Sequence, residues 1–246
     1  MSDDLWEVNA QWWIEGFTDG ADPEYEEQIL PMAIRELAGF EHVLDVGCGD
    51  GQIGRALVRA HGTRVIGVDP TWNQVVVAKE RSDRDPTLAV QVARAEAARL
   101  PFVDESFDAV VACLVFEHIT DVDSAIAEVS RVLRSGGRFA FFLNHPLLQT
   151  PGSGWIDDQI LDPPEQYWRI GDYLVEEETV EEVEKDVFIP FIHRPLGRYV
   201  NTLVRHGLIV TGLEEPAPPP GFLARAAEYE AAATIPRLLY LRTEKR

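Results

Sequence analysis

The chain has 246 residues, 46% of them hydrophobic, and a formal net charge of −20 at pH 7. This length and apolar fraction are enough for one sizeable core with an insertion, whereas the negative charge disfavours nucleic acids and anionic membrane surfaces as partners. No apolar run has the length of a membrane span, and the acidic, aromatic N-terminal region does not resemble a signal peptide. The two cysteines indicate neither a disulfide framework nor a metal site. We therefore expect a cytoplasmic protein without a bound metal.

The first 22 residues combine acidic side chains with four large aromatic ones, Trp6, Trp12, Trp13 and Phe17. Such a segment is too apolar for a disordered tail. Two interpretations are open: the segment packs on the core, or it forms a lid over a substrate pocket. Apolar residues between positions 25 and 37 then recur at helical spacing, although Pro31 interrupts them. We expect a kinked helix there, or a helix that starts afresh with Pro31 in its first turn.

A strand, a glycine-rich turn and a helix follow. The apolar residues at 43–46 predict a buried strand, and apolar positions after Gly51 recur at helical spacing up to Gly62, a residue that commonly ends helices. Between the strand and the helix, Gly47 and Gly49 permit a sharp turn and a close approach of the backbone to a ligand. This arrangement presents free backbone N–H groups and a helix N-terminus to a bound molecule.

Two classes of cofactor could use this turn. Residues 49–54 fit the Gly-x-Gly-x-x-Gly dinucleotide pattern, and Asp69 lies near the offset of about 20 residues expected for an acid that binds a ribose. Asp45, however, places a carboxylate at the mouth of the turn, where it would repel a pyrophosphate and attract an amine or a sulfonium. With its acid-x-Gly-x-Gly-x-Gly run at residues 45–51, the sequence resembles the class I S-adenosylmethionine (SAM)-dependent methyltransferases.

Two later segments add to the resemblance. The second strand, at residues 65–69, ends in Asp69, which can accept hydrogen bonds from a ribose diol or cap the following helix. A third strand is predicted at residues 88–92. After it, the run from Glu96 through Leu-Pro-Phe to the Ser-Phe-Asp at 106–108 is similar to the family's adenine-binding segment. In that family, the acid four residues before the leucine receives the adenine amino group.

Strands and helices continue to alternate through residue 144. A fourth strand is predicted at residues 108–114, then a helix capped by Asp121 or Asp123 and ended by Gly136-Gly137, then a fifth strand at residues 138–144. This alternation predicts an α/β fold with a parallel sheet. The resemblance implies a Rossmann-like, seven-stranded methyltransferase sheet, mostly parallel with one closing antiparallel strand, and helices on both faces.

The alternation breaks after residue 145. Residues 183–191 alternate as in an antiparallel hairpin, so we predict a cap inserted after the fifth strand. Pro195 then opens a helix, and two strands at 208–213 and 237–242 flank a proline-rich loop and an alanine-rich helix. We predict one domain with four parts: an N-terminal helical lid (1–38), a SAM-binding core (39–145), the cap (146–194), and a C-terminal helix with the closing strands (195–246).

The resemblance implies how SAM, and its product S-adenosylhomocysteine, would be held. Asp45, Gly47 and Gly49 would contact the methionine end, Asp69 the ribose, and Glu96 the adenine. The full set of implied cofactor residues is Asp45, Gly47, Cys48, Gly49, Asp69, Pro70, Glu96, Ala97, Cys113 and Leu114. The segment after the fourth strand lacks the Asn/Asp-Pro-Pro-Tyr motif of enzymes that methylate nucleic-acid bases or protein amides. We therefore expect a small-molecule acceptor.

The implied reaction is an in-line displacement that transfers a methyl group to an oxygen or nitrogen. A hydroxyl acceptor needs a general base, whereas a neutral amine does not. The candidate bases are His145, His118 and His193, with His145 preferred because it follows the fifth strand; a structural role is the alternative for each. The predicted substrate pocket contains Trp12, Trp13, Tyr25 and His145. Two other functions stay open: an NAD(P)-dependent oxidoreductase, and a SAM-binding protein without catalysis.

Overall fold

The structure is a computed structural model that describes residues 5–227 and 229–246, so positions 1–4 of the predicted lid lie outside the described residues. The helices are α1 (Leu5–Phe17), α2 (Leu30–Glu36), α3 (Gln52–His61), α4 (Trp72–Arg84), α5 (Val122–Val132), α6 (Leu196–Arg205) and α7 (Pro220–Arg225). The strands are β1 (His42–Val46), β2 (Arg64–Asp69), β3 (Gln91–Arg94), β4 (Phe107–Cys113), β5 (Leu133–Asn144), β6 (Gly154–Asp158), β7 (Glu165–Arg169), β8 (Glu177–Glu184), β9 (Val187–His193), β10 (Leu208–Glu214) and β11 (Leu238–Lys245).

Seven strands form one sheet in the order β10-β11-β5-β4-β1-β2-β3. The pairs from β5 across to β3 are all parallel, and β11 runs antiparallel to both of its neighbours, β5 and β10. The predicted fold class is therefore confirmed, including the single closing antiparallel strand. Because side chains alternate along each strand, both faces of the sheet carry a core. Leu44 and Phe141 belong to the core cluster on one face, and Val43 and Phe142 belong to the cluster on the other.

Pro31 shapes the chain between α1 and α2. Residues Tyr25–Ile29 form a wide π turn in which the Leu30 N–H donates to the Tyr25 carbonyl, and α2 then starts with Pro31 in its first turn. Proline has no N–H, so it is tolerated at a helix start but not in a helix interior. Glu24, Ile29 and Leu30 all have helical dihedral angles, so the helical backbone continues through the π turn into α2. The structure therefore agrees with the first expectation, an interrupted helix, and not with a fresh start at Pro31. The turn buries Tyr25 and Gln28 against the rest of the protein.

The third strand begins later than predicted. β3 starts at Gln91, whereas the predicted range was 88–92, because Pro86–Leu88 forms a 3₁₀ turn instead. Asp85 stabilises this turn, since its carboxylate accepts the Thr87 N–H at 3.1 Å. The turn-forming Asp-Pro pair therefore decides the structure up to residue 88, although the apolar residues that begin there predicted a strand.

The helix before β5 ends earlier than predicted. α5 stops at Val132 and β5 begins at Leu133, so Gly136 and Gly137 lie within the strand and do not end the helix. Leu133 is fully buried and pairs with Phe107 of β4. Gly136 has a φ of +76°, and the register with β4 shifts between Leu133 and Arg138, so the two glycines lie in an irregular part of the strand.

The predicted alanine-rich helix near the C-terminus is shorter than its composition indicated. α7 covers Pro220–Arg225, and a separate 3₁₀ turn covers Glu230–Thr234. Pro236 disfavours helical backbone at the preceding residue, and Ile235 is extended. The hairpin predicted within residues 183–191 is present, because β8 pairs antiparallel with β9. A second hairpin, β6–β7, precedes it.

Candidate active site

A cavity of about 360 Å³, here called the first cavity, opens at the carboxyl ends of β1, β2 and β4. The chain continues from β1 to β2 on one side and from β4 to β5 on the other, so the strand order reverses between β1 and β4. Such a point is the usual ligand site of open α/β sheets. The structure brings all ten implied cofactor residues into its lining: Asp45, Gly47, Cys48, Gly49, Asp69, Pro70, Glu96, Ala97, Cys113 and Leu114.

Gly47 lets the loop after β1 approach the loop after β4. Its φ is +70°, and a Cβ atom at this position would lie 2.4 Å from Cγ2 of Val115, so a side chain would force the two loops apart. The N–H groups of Gly47 and Cys48 donate to the Val68 carbonyl at 2.8 and 3.0 Å. These contacts hold the glycine turn against β2 and leave space beside it for a ligand.

Asp45 is a buried acid whose surroundings fit a cationic ligand. Only 1% of the residue is exposed, and its Oδ2 has no hydrogen-bond partner among the described residues. Burial, with the nearby charge of Asp69, raises the pKa of Asp45 to about 7. A buried carboxylate oxygen without a partner costs free energy, and the ammonium group of a bound amino acid moiety would supply the missing donor.

Asp69 shapes the glycine turn from the end of β2. Its Oδ2 accepts the Gly49 N–H at 2.9 Å, and its Oδ1 accepts the Thr71 N–H at 2.8 Å. Burial raises its pKa, although these two backbone N–H groups oppose the shift. A carboxylate can accept about four hydrogen bonds. Asp69 can therefore support the turn and still accept a ribose hydroxyl.

The remaining cofactor candidates lie around the same cavity. Glu96 is exposed and Ala97 is buried, and both line the cavity after β3. At the end of β4, Leu114 has a φ of +55° and donates its N–H to the Phe142 carbonyl at 3.1 Å. Tyr25, predicted in the substrate pocket, instead lines this first cavity.

A second cavity of about 230 Å³ adjoins the first. The two share four lining residues, Trp6, Trp13, Leu114 and His118. Trp12 and Trp13, both predicted in the substrate pocket, line the second cavity together with Phe17 and Phe191. Trp13 stacks on Phe17 at a centroid distance of 4.4 Å. The second cavity is therefore an aromatic-walled space that shares part of its lining with the first.

Helix α1 lies across both cavities and is attached on two sides. On one side, the Glu7 carboxylate accepts the N–H groups of Trp72 and Asn73 at 2.7 and 2.9 Å, at the N-terminus of α4. On the other side, Trp12 Nε1 donates to Glu184 Oε2 at 2.8 Å, and so joins α1 to the β8–β9 hairpin. The N-terminal segment and the hairpin thus build the aromatic side of the site together.

His118 is the one candidate base that lines the cavities. Its Nδ1 donates to the Pro190 carbonyl at 2.7 Å, which leaves Nε2 of the neutral ring as an acceptor. The ring is partly buried between Trp6 and Phe191, at centroid distances of 4.8 and 4.7 Å. Burial lowers the pKa of His118 to about 4, so the ring is neutral at physiological pH. Nε2 can therefore accept a hydrogen bond from a ligand.

The loop that carries His118 is held by a buried cation. Arg194 is 3% exposed, and its guanidinium donates to the carbonyls of Phe116, Ile119 and Thr120 at 3.0, 2.7 and 3.0 Å. Both Arg194 and the Pro190 carbonyl come from the predicted cap region. The end of the cap region therefore fixes the position of a residue in the cavity wall.

The other two candidate bases, including the preferred one, do not line either cavity. His145 Nε2 donates to Glu215 Oε1 at 2.8 Å and its Nδ1 accepts the Leu147 N–H at 3.1 Å, so both ring nitrogens are engaged. His193 is 1% exposed, and its Nε2 donates to the Tyr173 carbonyl at 2.8 Å. The structure therefore places His145 outside the lining of both cavities, and its assignment to the substrate pocket stays a prediction that neither cavity supports. The chain turns away from the sheet edge immediately after β5.

Several polar residues of the second cavity escaped the sequence analysis. They come from separate segments and share no motif: Asp22, Glu24, Gln28, Asn144, Gln149 and Arg237. Asn144 is positioned by Glu117, whose Oε1 accepts both the backbone N–H and the Nδ2 of Asn144 at 3.1 and 2.7 Å. Burial raises the pKa of Glu117 to about 7. The β5 strand end was a usable signal for Asn144, because strand ends meet at this edge of the sheet.

The geometry of the first cavity agrees with comparisons to known proteins. Residues 44–141 match a family model described as a methyltransferase domain. A crystal structure of an S-adenosylmethionine dependent methyltransferase from Mesorhizobium loti superposes with a TM-score of 0.72 at 25% identity, over 88% of this chain and 96% of that one. Residues 44–141 form a class I SAM-dependent methyltransferase domain. The cofactor of this methyltransferase domain is SAM, in agreement with the unpartnered buried oxygen of Asp45.

Curated relatives match over part of their length. A demethylmenaquinone methyltransferase from Thermobifida fusca is 33% identical over 154 residues, which cover 58% of this chain and 64% of that protein. A ubiquinone biosynthesis O-methyltransferase from Agrobacterium fabrum is 33% identical over 118 residues, which cover 48% of this chain and 46% of that protein. The chain thus spans less than two thirds of the length of these relatives.

Two further properties concern metals and membranes. Among residues 5–227 and 229–246, no group of three or more His, Cys, Asp or Glu side chains is arranged to hold a metal ion. In the same part of the chain, no helix combines the length and the apolar character that a membrane span requires. The two cysteines are free and buried.

Proposed function

We propose that the protein transfers the methyl group of SAM, by in-line displacement, to an oxygen or nitrogen of a small molecule bound in the second cavity. The observation that carries this proposal is the wall common to the two cavities, formed by Trp6, Trp13, Leu114 and His118. A methyl donor in the first cavity and an acceptor in the second would meet there. Alignment of this kind is the main contribution that a protein makes to a displacement reaction.

The residues of the first cavity would hold the cofactor. Asp45 would accept a hydrogen bond from the amine, Asp69 would accept one from a ribose hydroxyl, and Glu96 would accept one from the adenine amino group. SAM would supply a methyl group on a sulfonium, and the neutral thioether that remains is a good leaving group. The protein therefore does not have to activate the methyl donor. The acidic lining also favours a cofactor with a positively charged end over one with a pyrophosphate.

The second cavity would supply the base and exclude water. Nε2 of His118 would accept the proton of a hydroxyl acceptor as the oxygen takes the methyl group and the methyl–sulfur bond breaks, with S-adenosylhomocysteine as the leaving group. Trp12 and Trp13 on α1 cover the reacting atoms, which keeps competing water away. We propose that α1 acts as a lid, and that the cap region holds His118 in place through Arg194.

The relatives support a small acceptor. The names of two of them refer to demethylmenaquinone and to ubiquinone biosynthesis. The net charge of −20 also disfavours a polyanionic acceptor such as nucleic acid. We propose a cytoplasmic location, with which two free cysteines are compatible. A nicotinamide cofactor is disfavoured by Asp45, whose buried carboxylate would face its pyrophosphate.

Calorimetric titration tests the proposal first. Wild-type protein should bind S-adenosylhomocysteine and not NADH, and Asp69→Ala should weaken the first interaction by roughly tenfold or more, since it removes the acceptor of Gly49 N–H and the ribose. Asp85→Ala is a matched control, because Asp85 also accepts a backbone N–H in a turn but lies outside the cavities. Binding of NADH alone would contradict the proposal.

Transfer itself is tested with tritium-labelled SAM. Wild-type protein should move label into a mixture of small-molecule phenols and amines, and the label should partition into organic solvent. Binding of S-adenosylhomocysteine without any transfer across a broad acceptor panel would favour a SAM-binding protein without catalysis.

A further inference from the structure

Gln28 lines the second cavity and has a side-chain amide oxygen without a hydrogen-bond partner among the described residues. The residue is 8% exposed and lines this cavity. Its Nε2 donates to the Ala217 carbonyl at 2.8 Å. A carbonyl can only accept, so this contact fixes the orientation of the amide and makes the remaining atom, Oε1, the acceptor. Oε1 is buried and has no partner among the described residues.

The wide turn before α2 places Gln28 there. Within Tyr25–Ile29, the Leu30 N–H reaches back five residues to the Tyr25 carbonyl, so the side chains are spread over a broader arc than in an α-helix. Tyr25 consequently lines the first cavity, whereas Gln28 and Ile29 line the second. A short π segment is often found at a functional site.

A second glutamine adds to this excess of acceptors. Oε1 of Gln149 is also buried and has no partner among the described residues, and Gln149 lines the same cavity. His118 contributes a third acceptor, Nε2, because its Nδ1 donates to the Pro190 carbonyl. A ligand that gives these buried acceptors no hydrogen bond binds more weakly, because the acceptors stay desolvated without a partner. A ligand that carries several O–H or N–H groups avoids this loss of affinity.

The charges of the second cavity disfavour an anion. Its one cationic side chain among the described lining residues is Arg237, whose Nε donates to Glu24 Oε1 at 2.9 Å. The guanidinium also lies over the Phe222 ring, 4.1 Å from the centroid. Asp22 lines the cavity as well, with its pKa raised by burial. A carboxylate or phosphate would meet two acids and a cation that is already paired.

We propose that Gln28 determines acceptor specificity, and that the second cavity takes a small, uncharged aromatic compound with two donor groups. One donor, the hydroxyl or amine to be methylated, lies at His118 Nε2. The other lies at Gln28 Oε1. The aromatic walls formed by Trp12, Trp13 and Phe191 enclose the ring. The volume of about 230 Å³ is below the roughly 300–1,000 Å³ of drug-sized pockets, which favours a compact ring.

This inference rests on the proposed function and narrows it. A site that hydrogen-bonds a donor group discriminates strongly against an analogue without that group, because the site is then left with an unpaired polar atom. Benzenediols should therefore bind more tightly than phenol, and benzoate should not bind. One hydrogen bond of this kind corresponds to an affinity difference of about tenfold.

The experiment is calorimetric titration of protein saturated with S-adenosylhomocysteine. The probes are the three benzenediol isomers, phenol and benzoate. In the wild type, one or more of the diols should bind about tenfold more tightly than phenol. Gln28→Met, which keeps the side-chain length, should reduce the affinity of that diol to that of phenol. Gln11→Met serves as the control, since Gln11 is exposed and bonds only Glu15 on α1.

The outcomes separate this inference from the proposed function. Binding of S-adenosylhomocysteine by Gln28→Met with wild-type affinity shows that the variant is folded. If the diols bind no more tightly than phenol, if benzoate binds equally well, or if Gln28→Met keeps the diol preference, the specificity role is overturned while the methyltransferase function stands. Failure of the wild type to bind S-adenosylhomocysteine would overturn both.

Discussion

The two cavities share four lining residues but are formed by different kinds of structure. The first is formed by turns at the ends of adjacent strands, with backbone contacts such as Gly49 N–H to Asp69 holding its shape. The second is formed by side chains from α1, the π turn, the end of β5 and the β8–β9 hairpin. The first is therefore fixed by the hydrogen bonds of the sheet. The second depends on side-chain packing, so single substitutions can change what it binds without disturbing the cofactor.

The largest effect should come from His118→Gln, in the shared wall. If Nε2 takes the proton of a hydroxyl acceptor, kcat should fall by about 10²- to 10⁴-fold. The affinity for S-adenosylhomocysteine should change little, because the strand-end contacts stay intact. Transfer of label from SAM and calorimetry measure the two quantities. His61→Gln is the control, since His61 is exposed and bonds the Ile34 carbonyl away from both cavities.

The pH dependence of the rate sharpens this test. The pKa of His118 is lowered to about 4 by burial, so the neutral, proton-accepting form persists well below neutral pH. The rate attributable to this residue should stay level down to about pH 5 and decline only below that. A decline that starts near pH 6.5, the ordinary value for histidine, would contradict a buried, neutral His118.

Asp45→Asn should separate stability from cofactor binding in the first cavity. The pKa of Asp45 is about 7 in the folded protein, above its ordinary value, so its stabilising contribution is present at low pH and is lost as the pH rises through 7. At pH 8 the Asn variant should therefore be more stable than wild type, by roughly 2–4 kcal/mol. It should also bind S-adenosylhomocysteine roughly tenfold or more weakly, since the partner of the amine has lost its charge.

Urea unfolding at pH 8 and pH 5 measures the first part of this prediction. The stability difference should shrink toward pH 5, because wild-type Asp45 is then protonated. Glu117→Gln is a matched control: the pKa of Glu117 is also raised to about 7 by burial, but the residue does not line the first cavity. The Glu117→Gln variant should be more stable than wild type at pH 8 and should keep the wild-type affinity for S-adenosylhomocysteine. Equal losses of affinity in both variants would contradict a specific contact with Asp45.

The same contrast explains what could be predicted from the sequence. The cofactor candidates are adjacent in short motifs, and the parallel sheet brings strand ends to one edge, so spacing alone places Asp45 and Asp69 together. The second cavity has no such motif. Gln28 and Arg237 are more than 200 residues apart and meet only through packing. His145 follows a strand end, as expected of a site residue, but the turn after β5 directs it to Glu215 instead.

A smaller effect is expected from Glu24→Gln in the second cavity. This change removes the carboxylate that pairs with Arg237 and leaves its guanidinium available. Benzoate, which wild type should not bind, should then bind detectably but weakly, because the pair is partly exposed to solvent and its charges are screened. Calorimetry on protein saturated with S-adenosylhomocysteine measures this binding. If the variant does not bind benzoate, the charge of Arg237 does not attract an anion in the second cavity.

The smallest effect should come from Glu7→Gln, which tests whether α1 is a lid or a fixed part of the core. The Glu7 carboxylate lies at the N-terminus of α4, where a negative charge contributes about 0.3–1 kcal/mol. Removing the charge should increase the opening of α1, and the hydrogen-exchange rate of its amides, by about two- to fivefold. Glu15→Gln is the control on the same helix, since Glu15 only pairs with Gln11.

The dissociation rate of S-adenosylhomocysteine distinguishes the two interpretations of α1. Trp6 and Trp13, both on α1, line the first cavity, so a ligand that leaves through an opened lid should dissociate faster by the same factor as the amides exchange. If α1 is instead packed permanently on the core, neither the exchange rate of its amides nor the dissociation rate should change. Cofactor release would then proceed past the strand ends without any movement of the aromatic segment.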